Sequence, residues 1–262
     1  MKIGFFDSGV GGLTVLQQAM VVLPGEEYIY YSDTDHVPYG TKTKEDIICY
    51  VDEAVSFLIG LGVKAIVIAC NTATSAAIDY IRMKYTIPIL GMEPAVKPAM
   101  LRCPVKRVLV AATPFTIREE KLKNLIDQVD GDHITDLISL PKLVIFAEEG
   151  RFEDLELEEY IREKLAAYNL EDYSNLVLGC THFNYFKDTF RRLLPESVEF
   201  IDGIHGTVCH LKELLTQNKL LRYGQSGIQY YCSGRLVTEK DRLDFYQQLL
   251  KQAEKMLRCD NI

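Results

Sequence analysis

The sequence predicts an α/β protein made of two pseudo-symmetric, doubly wound domains, each with a mainly parallel sheet. Short runs rich in Val and Ile alternate with longer amphipathic segments along the chain, the pattern of βα units around a parallel sheet. The second half repeats the order of the first, and in each half a strand-like run leads directly into a cysteine. With 262 residues, 48% of them hydrophobic, the chain can bury a substantial core.

The first half is predicted to contain three strand-loop-helix units. The Gly-rich segment from Ser8 to Gly12 is a loop after the first strand, and residues 33–40 form a second loop. Cys70 follows the third strand directly, and Asn71 and Thr72 are suitable N-cap residues for the next helix. The predicted strands are 2–6, 28–31 and 65–69, and the predicted helices are 13–22, about 43–60 and about 71–84.

The second half repeats this order. A strand over 107–111 leads into a polar loop from Thr113 to Thr116 and a helix over 117–129; a later strand over 175–179 leads into Cys180, with Thr181 and His182 before a helix over 186–194. Thr113 follows Asp7 by 106 residues, and Cys180 follows Cys70 by 110. Any α/β protein offers such units to align, so the loops alone do not require a duplication. Two cysteines at the same junction indicate one more strongly.

Residues 1–96 are predicted to form the first domain and residues 97–206 the second. Pro94 and Pro98 punctuate the chain near this boundary. Ligands of open α/β sheets bind beyond the carboxyl ends of the strands. If the two sheets face each other, both cysteines line one cleft between the domains.

Charge and chain-end composition argue against several function classes. The formal net charge is −8 without a run of Lys or Arg, so we expect no nucleic-acid partner and no membrane surface. The apolar stretch 3–6 meets Asp7 at once and is too short for a signal-peptide core, and no later segment is long enough to span a membrane. We expect a cytoplasmic protein.

The seven cysteines are scattered and include no CxxC pair, which argues against a disulfide framework and a zinc ribbon. Reduced thiols and no metal site are therefore expected. Five of the cysteines have no partner motif and are interpreted as structural or incidental: Cys49, Cys103, Cys209, Cys232 and Cys259.

Two thiols on opposite walls of a cleft suit the inversion of an amino-acid Cα. That reaction removes a proton from one face and returns one to the other, so it needs one deprotonated and one protonated group. A free thiol has a pKa of about 8.5, and a helix N-terminus lowers that pKa, so one cysteine can be a thiolate. Backbone N–H groups after Cys70 and Cys180 could hold the substrate carboxylate. Asp7 and His182 lie near the same strand ends and could hold the ammonium group or tune the nearest thiol.

Each signal has a plainer interpretation. A single cysteine after a buried strand is more often a small core residue than a catalyst. The segment from Asp7 to Gly12 could cradle a phosphate, but it lacks the P-loop lysine and the dinucleotide-binding spacing. His182 could equally be a structural partner of the helix cap.

At these residues the sequence resembles the glutamate racemases, over nearly its whole length. Four blocks in matching order and spacing carry the resemblance: Phe6 to Thr14 (FDSGVGGLT), Val37 to Gly40 (VPYG), Ala69 to Ala73 (ACNTA) and Leu178 to His182 (LGCTH). The resemblance implies a cofactor-independent enzyme with its active site between two α/β domains, and a C-terminal stretch, 207–262, that returns to the first. It also implies a homodimer that supplies D-glutamate for peptidoglycan precursors.

Residue roles follow from the resemblance alone. Cys70 would take the proton from D-glutamate and Cys180 from L-glutamate, with Asp7 assisting Cys70 and His182 assisting Cys180. Glu148 would be an assisting carboxylate, although a solvated surface acid is the alternative there. Residues expected to contact the substrate are Asp7, Ser8, Pro38, Tyr39, Gly40, Asn71, Thr72, Thr113, Thr116, Thr181 and His182.

The chain departs from the family pattern at two places that bear on substrate preference more than on reaction type. Phe183 and Asn184 stand where Tyr-Pro is usual, and Pro114 and Phe115 stand where a smaller pair with Gly is common. The nearest alternative is an aspartate racemase, which shares the two-cysteine logic but differs in the block around the second cysteine. More distant alternatives are a Cys-His hydrolase using Cys180, which leaves the other cysteine without a role, and a protein that binds an amino acid without turnover.

Overall fold

The computed structural model describes residues 1–102 and 106–259 and contains two mainly parallel sheets. The strands are β1 Ile3–Asp7, β2 Glu27–Ser32, β3 Ala65–Ile68, β4 Ile89–Gly91, β5 Arg107–Ala112, β6 Thr135–Ser139, β7 Tyr173–Leu178, β8 Glu199–Ile201, β9 Gly227–Cys232 and β10 Arg235–Leu236. The first sheet has the order β10-β9-β2-β1-β3-β4 and the second β6-β5-β7-β8. The predicted α/β fold with two parallel sheets is confirmed.

Helices connect the strands and cover both sheets. They are α1 Leu13–Val22, α2 Lys44–Gly60, α3 Asn71–Lys84, α4 Val96–Arg102, α5 Pro114–Arg118, α6 Glu120–Val129, α7 Lys142–Glu148, α8 Leu155–Leu165, α9 Lys187–Leu193, α10 Ile204–Gln217 and α11 Lys240–Cys259, with 3-10 helices at Tyr39–Thr41, Leu170–Asp172 and Thr181–Phe186. Every residue of β1, β3 and β7 is buried, as expected for parallel strands covered on both faces. None of the described helices is long and apolar enough to cross a membrane.

The two sheets repeat one strand order. Four strands of the first sheet run β2-β1-β3-β4 and the second runs β6-β5-β7-β8, so β1 corresponds to β5 and β3 to β7. Asp7 ends β1 and Thr113 follows β5 directly, while Cys70 and Cys180 are each the second residue after their strand. Because parallel strands end at one edge of a sheet, each sheet presents one of the two cysteines beside its central strand.

The C-terminal strands extend the first sheet. β9 pairs in parallel with β2, and β10 pairs antiparallel with β9. α10 and α11 both pack against α1 of the first half. The domain boundaries, 1–96 with 207–262 and 97–206, stay a prediction.

Three local predictions at the strand ends were wrong. Residues Thr113 to Thr116 are not a loop, because Thr113 caps α5 through its hydroxyl and Pro114 occupies the first turn, where its missing N–H is tolerated. The N-cap of α3 is Cys70, not Asn71 or Thr72, since its sulfur accepts the Ala73 N–H at 3.4 Å.

The third difference lies after Cys180. The chain forms a fully buried 3-10 helix over Thr181–Phe186 before α9 begins. Of the cysteines interpreted as structural, Cys103 lies outside the described residues. Cys49 is exposed, and Cys209 and Cys232 are partly buried free thiols.

Candidate active site

Cys70 lies at the N-terminus of α3 in an apolar and acidic environment. Its side chain is buried, and its sulfur is 3.5 Å from the Ser8 hydroxyl. Burial raises the pKa of the thiol to about 12, with a further contribution from the negative charge of Asp7, while Ser8 and the Ala73 N–H oppose the shift. At neutral pH, Cys70 is therefore a protonated thiol and can act as an acid.

Cys180 has a different neighbour, the imidazole of His182. The sulfur is 3.8 Å from His182 Nδ1, and His182 Nε2 is 2.7 Å from Glu148 Oε1. Burial lowers the pKa of His182, but the hydrogen bonds to Cys180 and Glu148 outweigh burial and hold it well above its usual value. The imidazole thus carries a positive charge that stabilises negative charge on the adjacent sulfur.

Asp7 lies between the two halves of the molecule. Its Oδ1 accepts the Gly9 N–H at 3.0 Å, and its Oδ2 accepts the Thr181 hydroxyl at 3.1 Å. Burial is the main cause that raises the pKa of Asp7 to about 6, opposed by the charge of His182. The carboxylate of the first half is therefore joined directly to the residue after Cys180 in the second half.

The Gly-rich loop after β1 packs tightly against the second half. A Cβ on Gly9 would lie 1.8 Å from Glu148 Oε1, and one on Gly11 would lie 2.4 Å from both His182 Nδ1 and Thr181 Oγ1. Only glycine permits such close approach, which explains the Gly-rich composition without a bound phosphate. The Val10 N–H completes the contact by donating to Glu148 Oε1 at 2.7 Å.

Two buried tyrosines hold the carbonyl groups of the same loop. The Tyr30 hydroxyl donates to the Gly9 carbonyl at 2.7 Å, and the Tyr185 hydroxyl donates to the Val10 carbonyl at 3.0 Å. Sequence reasoning missed both residues, because a tyrosine in a strand or a short helix has no local pattern that marks a loop contact. These bonds fix the direction of the N–H groups that reach Asp7 and Glu148.

Three threonine hydroxyls meet where the N-termini of α3 and α5 face each other. Thr72 Oγ1 is 2.9 Å from Thr113 Oγ1 and 3.3 Å from Thr116 Oγ1, and all three side chains are buried. A Cβ on Gly40 would lie 2.9 Å from the Thr113 Cβ. Four of the predicted substrate-contacting residues, two from each half, are thus brought together.

Other predicted site residues have partners that locate them. Tyr39 follows the cis peptide bond before Pro38 and is buried, and its hydroxyl donates to Asp33 Oδ2 at 2.6 Å. The Asn71 side chain donates to the Met92 carbonyl at 3.2 Å, so this amide is engaged with the backbone. Within residues 1–102 and 106–259, no three His, Cys, Asp or Glu side chains are grouped to hold a metal ion.

The arrangement offers one acid and one base for the same reaction. Cys70 is held protonated, while Cys180 lies beside a cationic imidazole. A substrate atom between the two sulfurs could lose a proton to one and gain a proton from the other.

Comparison with known proteins decides the family. The profile of the Asp/Glu/Hydantoin racemase family matches residues 13–211. The chain belongs to this family. It is 48% identical over 262 residues to a glutamate racemase from Lachnospira eligens, covering 98% of this chain and 99% of that protein. It is 51% identical over 254 residues to one from Halothermothrix orenii, covering 96% and 100%.

Solved structures of racemases share the fold. The glutamate racemase of Francisella tularensis in complex with D-glutamate superposes with a TM-score of 0.81 at 29% identity, covering 95% of this chain and 93% of that one. The two cysteines and the three assisting residues predicted for this racemase family member all lie in the part of the chain that the structure describes.

The glycines of the racemase loop should be intolerant of even one methyl group. Gly11→Ala places a Cβ into the imidazole of His182, so we expect kcat/KM to fall roughly 100-fold through misplacement of His182. Gly206→Ala is the matched control, because a Cβ on Gly206 has nothing within 4 Å. Steady-state racemisation kinetics, followed by circular dichroism, compares kcat/KM of the two variants with that of wild type. Equal activity of the two variants would contradict the assigned role of the loop.

The buried Asp7 carboxylate should destabilise this racemase as the pH rises. Its pKa is 3.8 in the unfolded chain and about 6 in the fold, so the protonated form favours folding, and stability is lost between about pH 4 and 6. Asp7→Asn should raise the free energy of unfolding by on the order of 3 kcal/mol at pH 8 and by little near pH 4. Urea unfolding at pH 4, 6 and 8 measures this difference. A gain that is the same at every pH would rule the explanation out.

Proposed function

We propose that the protein is a cofactor-independent glutamate racemase that interconverts L- and D-glutamate by proton transfers at Cα to and from Cys70 and Cys180. The observation that carries the proposal is the matched placement of the two thiols at the ends of β3 and β7, joined through Asp7 and Thr181. Family membership and the many relatives named glutamate racemase support the substrate.

The charges of the free protein favour the protonation state that acts on L-glutamate. The cationic His182 favours negative charge on Cys180, while burial and Asp7 keep Cys70 protonated. In this state Cys180 removes the Cα proton of L-glutamate, and Cys70 donates its proton to the opposite face. Once D-glutamate has formed, Cys180 is protonated and Cys70 is a thiolate. In this state the protein can act on D-glutamate or exchange protons with solvent.

The neighbouring groups assist each proton transfer. His182, held by Glu148, stabilises the developing charge on Cys180. Asp7 is close enough to act on Cys70 through its charge, and it can accept a hydrogen bond from the substrate ammonium. Ser8, Thr72, Thr113, Thr116 and Thr181 supply hydroxyls for the carboxylates of the substrate. We expect Pro38, Tyr39, Gly40 and Asn71 to border the substrate from the first half.

The cellular role follows from the product. D-Glutamate is a building block of peptidoglycan, so we propose that the protein supplies it in the cytoplasm, as a homodimer. Size measurement in solution tests the dimer.

The deciding experiment follows L-glutamate and, separately, L-aspartate in heavy water with purified protein and no pyridoxal phosphate. With glutamate, we expect the optical rotation to be lost and deuterium to be incorporated at Cα. Turnover of aspartate alone would make the protein an aspartate racemase, the nearest alternative, since the departures at Phe183 and Asn184 bear on substrate preference. No exchange with either substrate would overturn the proposal and leave the hydrolase and binding alternatives.

A further inference from the structure

The loop that carries Tyr39 and Gly40 is organised around one buried carboxylate. Asp33 is only 4% exposed and accepts three side-chain hydrogen bonds. Tyr39 donates its hydroxyl to Oδ2 at 2.6 Å, His36 Nδ1 lies 2.9 Å from both oxygens, and the Ser233 hydroxyl donates to Oδ1 at 2.9 Å. Such a carboxylate fixes the relative positions of its donors, since hydrogen bonds to a charged group are the strong ones.

The third donor comes from the far end of the chain. Ser233 lies in the turn between β9 and β10, where it and Gly234 have φ values of 43° and 79°. Its N–H donates to the Ser32 carbonyl at 2.8 Å, and its hydroxyl also accepts the Asp35 N–H at 3.1 Å. The turn therefore forms hydrogen bonds with three residues at the end of β2 and the start of the loop: Ser32, Asp33 and Asp35.

At its other end the loop meets the predicted substrate site. Burial and the charge of Asp33 raise the pKa of Tyr39, so its phenol stays a hydrogen-bond donor to that carboxylate. The next residue, Gly40, packs against Thr113 of the second half. Asp33 is therefore linked through Tyr39 to the backbone that borders the threonine hydroxyls.

We propose that Asp33 and Ser233 are positioning residues that hold the substrate-binding loop in place. The turn between β9 and β10 sets the position of the Asp33 carboxylate, and Asp33 sets the position of Tyr39 and Gly40. Neither residue touches the substrate, so both act through Tyr39. This inference rests on the proposed function, because the readout is glutamate racemisation.

The test compares kcat and KM for L-glutamate in wild type, Ser233→Ala, Asp33→Asn, Tyr39→Phe and the Ser233→Ala/Tyr39→Phe double variant. We expect Ser233→Ala to raise KM roughly tenfold, the size of one hydrogen bond to a charged group. We expect kcat to change less than about twofold, since the thiols and their partners are untouched. Asp33→Asn should have the larger effect, because it alters three bonds at once.

The double variant separates positioning from general loss of structure. If Ser233 acts through Asp33 and Tyr39, the second substitution adds little to the first, whereas independent damage multiplies. Ser233→Gly guards against misfolding, because glycine suits the positive φ yet also lacks the hydroxyl. It should raise KM as much as Ser233→Ala does.

Arg235→Gln is the control on the same turn. It removes an exposed ion pair with Asp35 and leaves the buried bonds intact, so its KM should match wild type. An unchanged KM in Ser233→Ala and Ser233→Gly, or multiplicative effects in the double variant, would overturn the inference while wild-type racemisation still stood. Absence of racemisation in wild type would instead overturn the proposed function itself.

Discussion

Cys70→Ala should stop racemisation of glutamate while leaving slow exchange of the Cα hydrogen of the L enantiomer. In this variant Cys180 and His182 remain, so the proton of L-glutamate can still be removed and replaced from the same side. No acid is left on the opposite face to complete inversion. We expect the rate of racemisation to fall by at least about 10³-fold, as for loss of an acid or base in proton transfer.

Cys180→Ala should give the mirror-image result with a slower residual exchange. Here Cys70 alone faces the substrate and exchanges only D-glutamate. Since the pKa of the Cys70 thiol is raised to about 12 and no imidazole lies beside its sulfur, its thiolate is scarce at neutral pH. The electrostatic asymmetry of the two sites therefore predicts faster residual exchange in Cys70→Ala than in Cys180→Ala.

Proton NMR in heavy water, with chiral analysis of the recovered glutamate, measures both quantities at once. Cys49→Ala serves as the matched control, because Cys49 is an exposed thiol on α2, and it should racemise like wild type. Racemisation that persists in either active-site variant would exclude the two-thiol mechanism. Exchange of the opposite enantiomers would reverse the assignment of the faces.

The parts of the site that follow local chain patterns were predictable from the sequence. Parallel strands covered on both faces need uninterrupted apolar runs, so β1, β3, β5 and β7 could be placed to within about two residues. The residues that follow such strands gather at one edge of each sheet. For this reason Asp7, Cys70 and Cys180 could be expected in one cleft before any contact was known.

Helix phase decided what the sequence left open at Glu148. Two adjacent acids, Glu148 and Glu149, end the same segment, and neighbouring residues of a helix point about 100° apart. Glu148 reaches His182, whereas Glu149 is half exposed and pairs with Arg151 at 3.2 Å. Glu148 therefore contacts His182 and is not a solvated surface acid, while its part in catalysis stays a prediction.

Individual hydrogen bonds between distant segments could not be predicted. Ser233 meets Asp33 across 200 residues of sequence, and no periodicity links a turn to a loop so far away. Likewise, the contacts of Tyr30 and Tyr185 depend on how the Gly-rich loop packs between the two halves. Such bonds arise from the packed tertiary structure, so they are visible only once the strand order is known.

The largest loss of stability is expected from breaking the buried ion pair between Lys64 and Glu26. The two side chains are 3% and 1% exposed, and Lys64 Nζ is 2.6 Å from Glu26 Oε2. Lys64 also donates to the Leu220 carbonyl, and Glu26 Oε1 accepts the Arg222 N–H at 2.8 Å. The pair thus connects the segment between α10 and β9, through Leu220 and Arg222, to the first sheet.

Lys64→Met should lower the free energy of unfolding by about 3–5 kcal/mol, because it leaves the Glu26 carboxylate buried without a counter-ion. Adding Glu26→Leu should recover part of that loss, since the stranded charge is then gone, although the Leu220 carbonyl and Arg222 N–H stay without these partners. Lys84→Met is the matched control. Lys84 pairs with Asp52 at the surface with 42% of its side chain exposed, so its loss should stay below about 1 kcal/mol.

Urea unfolding monitored by circular dichroism compares the variants. If Lys64→Met loses no more stability than Lys84→Met, the buried pair does not hold this segment. If the double variant is less stable than Lys64→Met, the hydrogen bond that Glu26 accepts from the Arg222 N–H outweighs the cost of burying its charge. The expected order, with Lys64→Met lowest, would mean that this buried pair, which lies where β2 and β9 begin to pair, contributes to the stability of the fold.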